Sequence, residues 1–141
     1  MPMKQISVFV ENKAGRLADI THVLEKAEID IRALSVADTT NYGILRLIVS
    51  DPDKAENALR EAGMTVTITT VLGIGIPDIP GGFSKAIRVL SDEDISVEYA
   101  YAFITPRVGT AYVIIRVEDN EKAAQVLKAK GITLIEQDDI F

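Results

Sequence analysis

Two short loops carry the residues whose types and spacing ask for a ligand: Asn12-Lys13-Ala14-Gly15-Arg16-Leu17 and Asp78-Ile79-Pro80-Gly81-Gly82-Phe83. Each follows an alternating apolar segment and precedes a stretch of helical periodicity, so each should set a glycine at a helix N-terminus. The first turn of a helix holds backbone N–H groups without intrahelical acceptors at the positive end of the helix dipole, which suits a carboxylate or a phosphate. Glycine lets an anion approach that backbone closely. Asn12 or Asp78, one turn earlier, offers an oxygen to an ammonium group, so a zwitterion such as a free amino acid matches both ends. The competing explanation is structural, because Asn, Asp and Gly are also common turn and cap residues.

Other reactive groups point away from catalysis. His22 is the sole histidine, and helical spacing sets it opposite an apolar stripe of Leu17, Ile20, Leu24 and Ala27, facing solvent with no nucleophile beside it. Asp51/Asp53, Asp92/Glu93/Asp94 and Glu118/Asp119 fall at turns and helix starts, where the dipole favours negative charge. Asp138-Asp139 reads as a solvated tail rather than a metal site. The absence of cysteine removes thiolate nucleophiles, iron–sulfur clusters and Cys-based zinc sites. No catalytic residue, metal or cofactor is expected.

The elements that position the two loops repeat. A displacement of 66 places Gly15 on Gly81, Leu24 on Leu90, Ile29 on Ile95 and Gly43 on Gly109, and a displacement of 68 continues with Ala55 on Ala123, Leu59 on Leu127 and Gly63 on Gly131. Two domains follow, 1–70 and 71–141. In the first, Ile6, Val8 and Val10 alternate as a strand, then come a helix, strands at 30–37 and 43–49, a helix opened by Asp51-Pro52-Asp53 and closed by Gly63, and a strand over 65–72. The second repeats this order with strands at 71–77, 95–104, 110–117 and near Thr133, and helices at 82–90 and 120–130. The order βαββαβ with right-handed crossovers is the ferredoxin-like arrangement, an α+β fold with an antiparallel sheet and both helices on one face.

Strand parity suggests a further contact. Leu45, Leu47, Val49, Val113, Ile115 and Val117 form an apolar set that belongs under the helices, whereas the opposite set, Ile44, Arg46, Ile48, Tyr112, Ile114 and Arg116, is more apolar than a wet face should be. A homodimer through this face is the expectation. Tyr99, Tyr101 and Phe103 share a face and read as packing between subunits before pocket lining.

With these loops and this order, Glu11-Asn12-Lys13-Ala14-Gly15-Arg16-Leu17 and Pro77-Asp78-Ile79-Pro80-Gly81-Gly82-Phe83, each before an amphipathic helix, the chain resembles the ACT domain family over residues 4–136. The resemblance implies a stand-alone tandem pair of small modules that bind amino acids and regulate metabolic enzymes. It implies two units side by side in an eight-stranded antiparallel sheet with four helices on one face. It also implies a ligand between paired domains, its carboxylate on the loop N–H groups. That nominates Asn12, Ala14, Gly15, Arg16 and Leu17 in the first copy, and Asp78, Pro80, Gly81, Gly82 and Phe83 in the second. The second loop departs by Asn to Asp and by Pro80 and an extra glycine, so one preferred site is expected. The edge at 35–37 and the loop at 38–42 are placed to reach a neighbouring copy's ligand.

Composition bounds the partners. With 15 Lys+Arg against 21 Asp+Glu the net charge is -6, and both halves are acidic, so phosphate backbones are repelled. The third strands, 44–49 and 112–116, also lack the aromatic stacking signature of RNA-binding ferredoxin-like domains. A signal peptide and a membrane span are not seen, and a cytoplasmic protein is expected. The functional expectation is a non-catalytic regulatory protein that binds a free amino acid and signals to metabolic enzymes. The alternatives are a ligand-free interaction subunit of an enzyme encoded elsewhere and, behind it, an RNA-binding domain.

Overall fold

Ile6, Val8 and Val10 turn one way along the first strand and are buried, while Phe9 and Glu11, turned the other way, are exposed. The computed structural model describes residues 2–38, 41–103 and 107–140. Its order is β1 (Met3–Glu11), α1 (Arg16–Lys26), β2 (Ile31–Asp38), β3 (Tyr42–Val49), α2 (Pro52–Glu61), β4 (Val66–Pro77), α3 (Gly82–Asp92), β5 (Tyr99–Phe103), β6 (Thr110–Arg116), α4 (Asn120–Ala129), β7 (Thr133–Ile135) and α5 (Gln137–Ile140). The chain forms two compact units, residues 4–69 and residues 70–141, with Met3 belonging to the second. Among the described residues no helix is long and apolar enough to cross a membrane.

In the first unit the strand order is β2-β3-β1, with β4 next to β1. Antiparallel register sets Val8 against Leu45 and Ile6 against Leu47, while Leu34 of β2 lies against Leu47 on the other side of β3. Ile6, Val8, Leu45 and Leu47 meet Ile20 and Leu24 of α1 and Ala55 and Leu59 of α2, so both helices cover one face of the sheet, while Leu34 stays exposed. In the second unit the order is β7-β4-β6-β5, and Ile74 lies against Val113. Ala86 and Leu90 of α3 with Ala123 and Leu127 of α4 close over that core. Burying each such aliphatic side chain contributes about 1.5–3 kcal/mol, which is what holds the helices on the sheets.

The antiparallel strands number seven among the described residues, not eight. The expected strands over 65–72 and 71–77 are one uninterrupted strand, β4, of 12 residues. No turn separates them: the strand runs through Gly73 and Gly75, and a Cβ on Gly73 would overlap the Met3 side chain, whereas one on Gly75 would make ordinary contact with Ile135, Thr133 and Tyr112. The strand expected over 95–104 is confined to Tyr99–Phe103, since Ile95 N–H instead closes α3 on Leu90 O at 2.9 Å; Ile104 lies outside the described residues. The expected tail at Asp138-Asp139 is a short fifth helix, with Asp139 Oδ2 accepting from Glu136 N–H at 2.8 Å and Ile140 buried.

The mixed sheet face is not left open as expected. Ile48, Tyr112 and Ile114 are buried within the chain itself, Ile44 is half-buried, and Arg116 is engaged by Glu98 at 3.2 Å and donates to Thr70 O at 3.1 Å. Phe103 is buried with its ring 5.3 Å from that of Tyr112, and Tyr99 stacks on Tyr101 at 6.4 Å. The aromatic face of β5 is thus used inside its own unit.

Candidate ligand-binding site

The four long helices begin in two ways. Asp51 and Asp119 cap α2 and α4, their carboxylates accepting from Lys54 and Lys122 N–H at 3.1 and 3.0 Å. By contrast α1 and α3 begin at Gly15 and Gly81, both left-handed at φ 87° and 88°, and neither has a side-chain cap. The backbone around them is duplicated: Arg16 N–H donates to Lys13 O and Asp19 N–H to Gly15 O, as Gly82 N–H does to Ile79 O and Lys85 N–H to Gly81 O. The two starts without a side-chain cap are the two that the sequence singles out.

A cleft lies beside each start, about 520 Å³ in the first unit and 760 Å³ in the second. The two occupy equivalent places in the repeat. Arg16, Asp19, Gly63, Met64 and Thr65 line the first, and their counterparts Gly82, Lys85, Gly131, Ile132 and Thr133 line the second. The far wall is the end of α2 or α4, where Gly63 and Gly131 adopt φ 85° and 78°. Met64 N–H then reaches back to Leu59 O, and Ile132 N–H to Leu127 O, both at 3.0 Å, which is the Schellman closure.

Of the nominated residues, Arg16 lines the first cleft and Pro80, Gly81 and Gly82 line the second. Asn12, Ala14, Gly15 and Leu17, and likewise Asp78 and Phe83, stand beside the clefts without lining them. Leu17 does not join the apolar stripe of α1: it is 43% exposed, as its counterpart Phe83 is at 40%, because each sits in the first turn where the helix overhangs its sheet. Gly82 is buried, and a Cβ there would overlap the Pro77 carbonyl oxygen, so the extra glycine of the second loop is a close backbone approach. Part of the loop at 38–42 lies outside the described residues.

Sequence reasoning passed over Lys85, Arg107 and the glycine-closed ends of α2 and α4. The repeat register held the signal, because it pairs Asp19 with Lys85. His22 is exposed as expected, 3.6 Å from Glu25, yet it also borders the first cleft, with Phe9 and Tyr42, whose rings are 5.6 Å apart. Charge in that cleft is locally balanced: Arg16 lies 4.0 Å from Glu11 and 3.5 Å from Asp19. A hydrogen bond and the charge of Lys13, and then the charge of Arg16, hold the exposed Glu11 carboxyl below the usual glutamate range. Among the described residues no group of three or more His, Cys, Asp or Glu side chains is placed to hold a metal ion.

The family model described as an ACT domain pair matches residues 1–141. The chain belongs to the ACT domain family. Among solved structures, this ACT pair is similar to protein BT0572 from Bacteroides thetaiotaomicron, at 44% identity and TM-score 0.93, covering 99% of this chain and 96% of that one. It shares its fold with the regulatory subunit of aspartate kinase from Thermus thermophilus in its ligand-free form, at 16% identity and TM-score 0.64 over 89% and 90% of the two chains. The same holds for a structure of aspartokinase alpha and beta subunits, at 18% identity and TM-score 0.60 over 89% and 90%. No curated protein matches the sequence.

Proposed function

We propose that this ACT pair is a non-catalytic regulatory protein of the cytoplasm that binds a free amino acid beside its helix starts and signals to an enzyme of amino-acid metabolism. One observation carries the reading: α1 and α3 alone among the four long helices lack a side-chain cap, and each opens beside a cleft. A ligand carboxylate supplies the acceptor that Asp51 and Asp119 supply to the other two helices. The ten nominated residues form the loop surface over which the ligand lies. A fold shared with a regulatory subunit of an amino-acid kinase supports the regulatory part. The test is a thermal-shift screen of the twenty amino acids on the full chain. Stabilisation by one or a few supports the reading, and none at millimolar concentration returns the chain to the alternative, a ligand-free interaction subunit.

Self-association belongs to the same proposal, on a different surface from the one parity suggested. β2 is an edge strand of its unit, and it shows Leu34 and Val36 at 58% and 51% exposure on the helix side. A second copy paired antiparallel about Ser35 sets Leu34 against Val36 in the regular part of β2, beyond the irregularity at residues 31–33. A shift by two residues either way instead sets Leu34 against Leu34 or Val36 against Val36. The helix sides of the two copies stay together only in these even registers. In the second unit the equivalent edge offers only Ala100 and Ala102.

A further inference from the structure

The two clefts occupy equivalent places and differ in charge: the carboxylates of the first are paired with Lys13 and Arg16, whereas cations outnumber carboxylates around the second. Arg16, the cation of the first cleft, stands with two carboxylates, Glu11 and Asp19, that line it too. The second is lined by two cations, Lys85 and Arg107, and one carboxylate, Asp139, whose Oδ2 is already held by Glu136 N–H. The difference comes from single positions in register: Lys85 replaces Asp19, and Gly82 replaces Arg16 and removes a side chain from the cleft wall.

Lys85 is poorly explained by the helix that carries it. It sits in the first turn of α3, where the dipole disfavours a cation, and α3 has neither an acidic residue in that turn nor an acidic cap. At the equivalent place α1 has Asp19, the charge a helix start favours. A side chain that works against its own element while lining a cavity marks a functional position. Arg107 adds a second positive charge to the same space from the segment before β6.

We infer that the second cleft selects an amino acid with an acidic side chain. Its main-chain carboxylate lies at the Gly81 start of α3 and its side-chain carboxylate beside Lys85. The inference rests on the amino-acid reading above and narrows it to dicarboxylic ligands. In the first cleft Arg16 is already engaged by Glu11 and Asp19, so a second carboxylate gains little there.

Isothermal titration of the full chain with aspartate and asparagine, and with glutamate and glutamine, isolates that charge at constant shape. The expected result is one site per chain with the acidic member of at least one pair bound about 10-fold or more tightly, about 1.4 kcal/mol. Lys85→Gln removes the preference, and Lys54→Gln, a first-turn lysine lining neither cleft, keeps it. Equal affinity for acid and amide, or a preference that survives Lys85→Gln, overturns the charge assignment and leaves the amino-acid reading standing. Binding by none of the twenty amino acids overturns both.

Discussion

Single backbone positions decide how open each helix start is. Gly15 has a left-handed φ of 87°, yet a Cβ there would meet nothing within 4 Å. Gly15→Val therefore costs the conformational penalty alone, about 1–2 kcal/mol. At about 3–5 °C per kcal/mol for a chain of this length, melting should fall by several degrees with the far-UV spectrum unchanged. The valine side chain also stands over the first loop, so any amino acid held at the first cleft should be lost while the dicarboxylic ligand of the second stays; calorimetry in which a ligand of the first cleft still binds would remove Gly15 from that site. Gly82→Ala is a different case, because its Cβ is driven into the Pro77 carbonyl, and it should destabilise through backbone displacement of the second loop. Glu11 offers a charge test. Its lowered pKa means that pairing with Lys13 favours the fold above the ordinary glutamate pKa and is lost as pH falls through the lowered one. Carboxyl titration by NMR should find Glu11 below the usual range, and Lys13→Ala should bring it back up.

Among the elements, the long helices follow from their sequences: apolar spacing set the buried faces, and Asp51 and Asp119 announced the starts of α2 and α4. The repeat extends to details of termination. Glu28 and Asp94, one displacement apart, both adopt φ 58° just beyond α1 and α3, with Ile29 and Ile95 N–H closing back on Leu24 and Leu90. A glutamate is strained there, so Glu28→Gly should raise stability by about 0.5–1 kcal/mol, measured by denaturant unfolding. The joint between repeats was not legible, because the repeated order put a strand on each side of residue 71 and the two run on as one. The tight packing of Gly73 depends on Met3, which only the fold brings alongside. The clefts were half legible for a related reason. The loops are local and visible in sequence, whereas Gly63 to Thr65 and Gly131 to Thr133 reach them only through tertiary packing. Parity correctly found the apolar faces, but parity alone does not say which element of the same chain covers them, and Ile48 and Ile114 are already buried.

At the scale of the whole molecule two proposed properties are open to test, association of copies along β2 and binding of an amino acid. Light scattering at micromolar protein should give a dimer mass for the wild type and a monomer mass for Leu34→Asp/Val36→Asp. The thermal-shift screen bears on the central claim most directly. A ligand that binds only the folded chain at 100 times its Kd adds about 2.7 kcal/mol of stability, which moves the melting temperature by about 8–13 °C at this chain length. The account predicts a rise of that order for at least one free amino acid, aspartate or glutamate foremost, abolished for that ligand when Lys85→Gln and Gly81→Val are combined. An unchanged melting temperature with all twenty amino acids at millimolar concentration would contradict it.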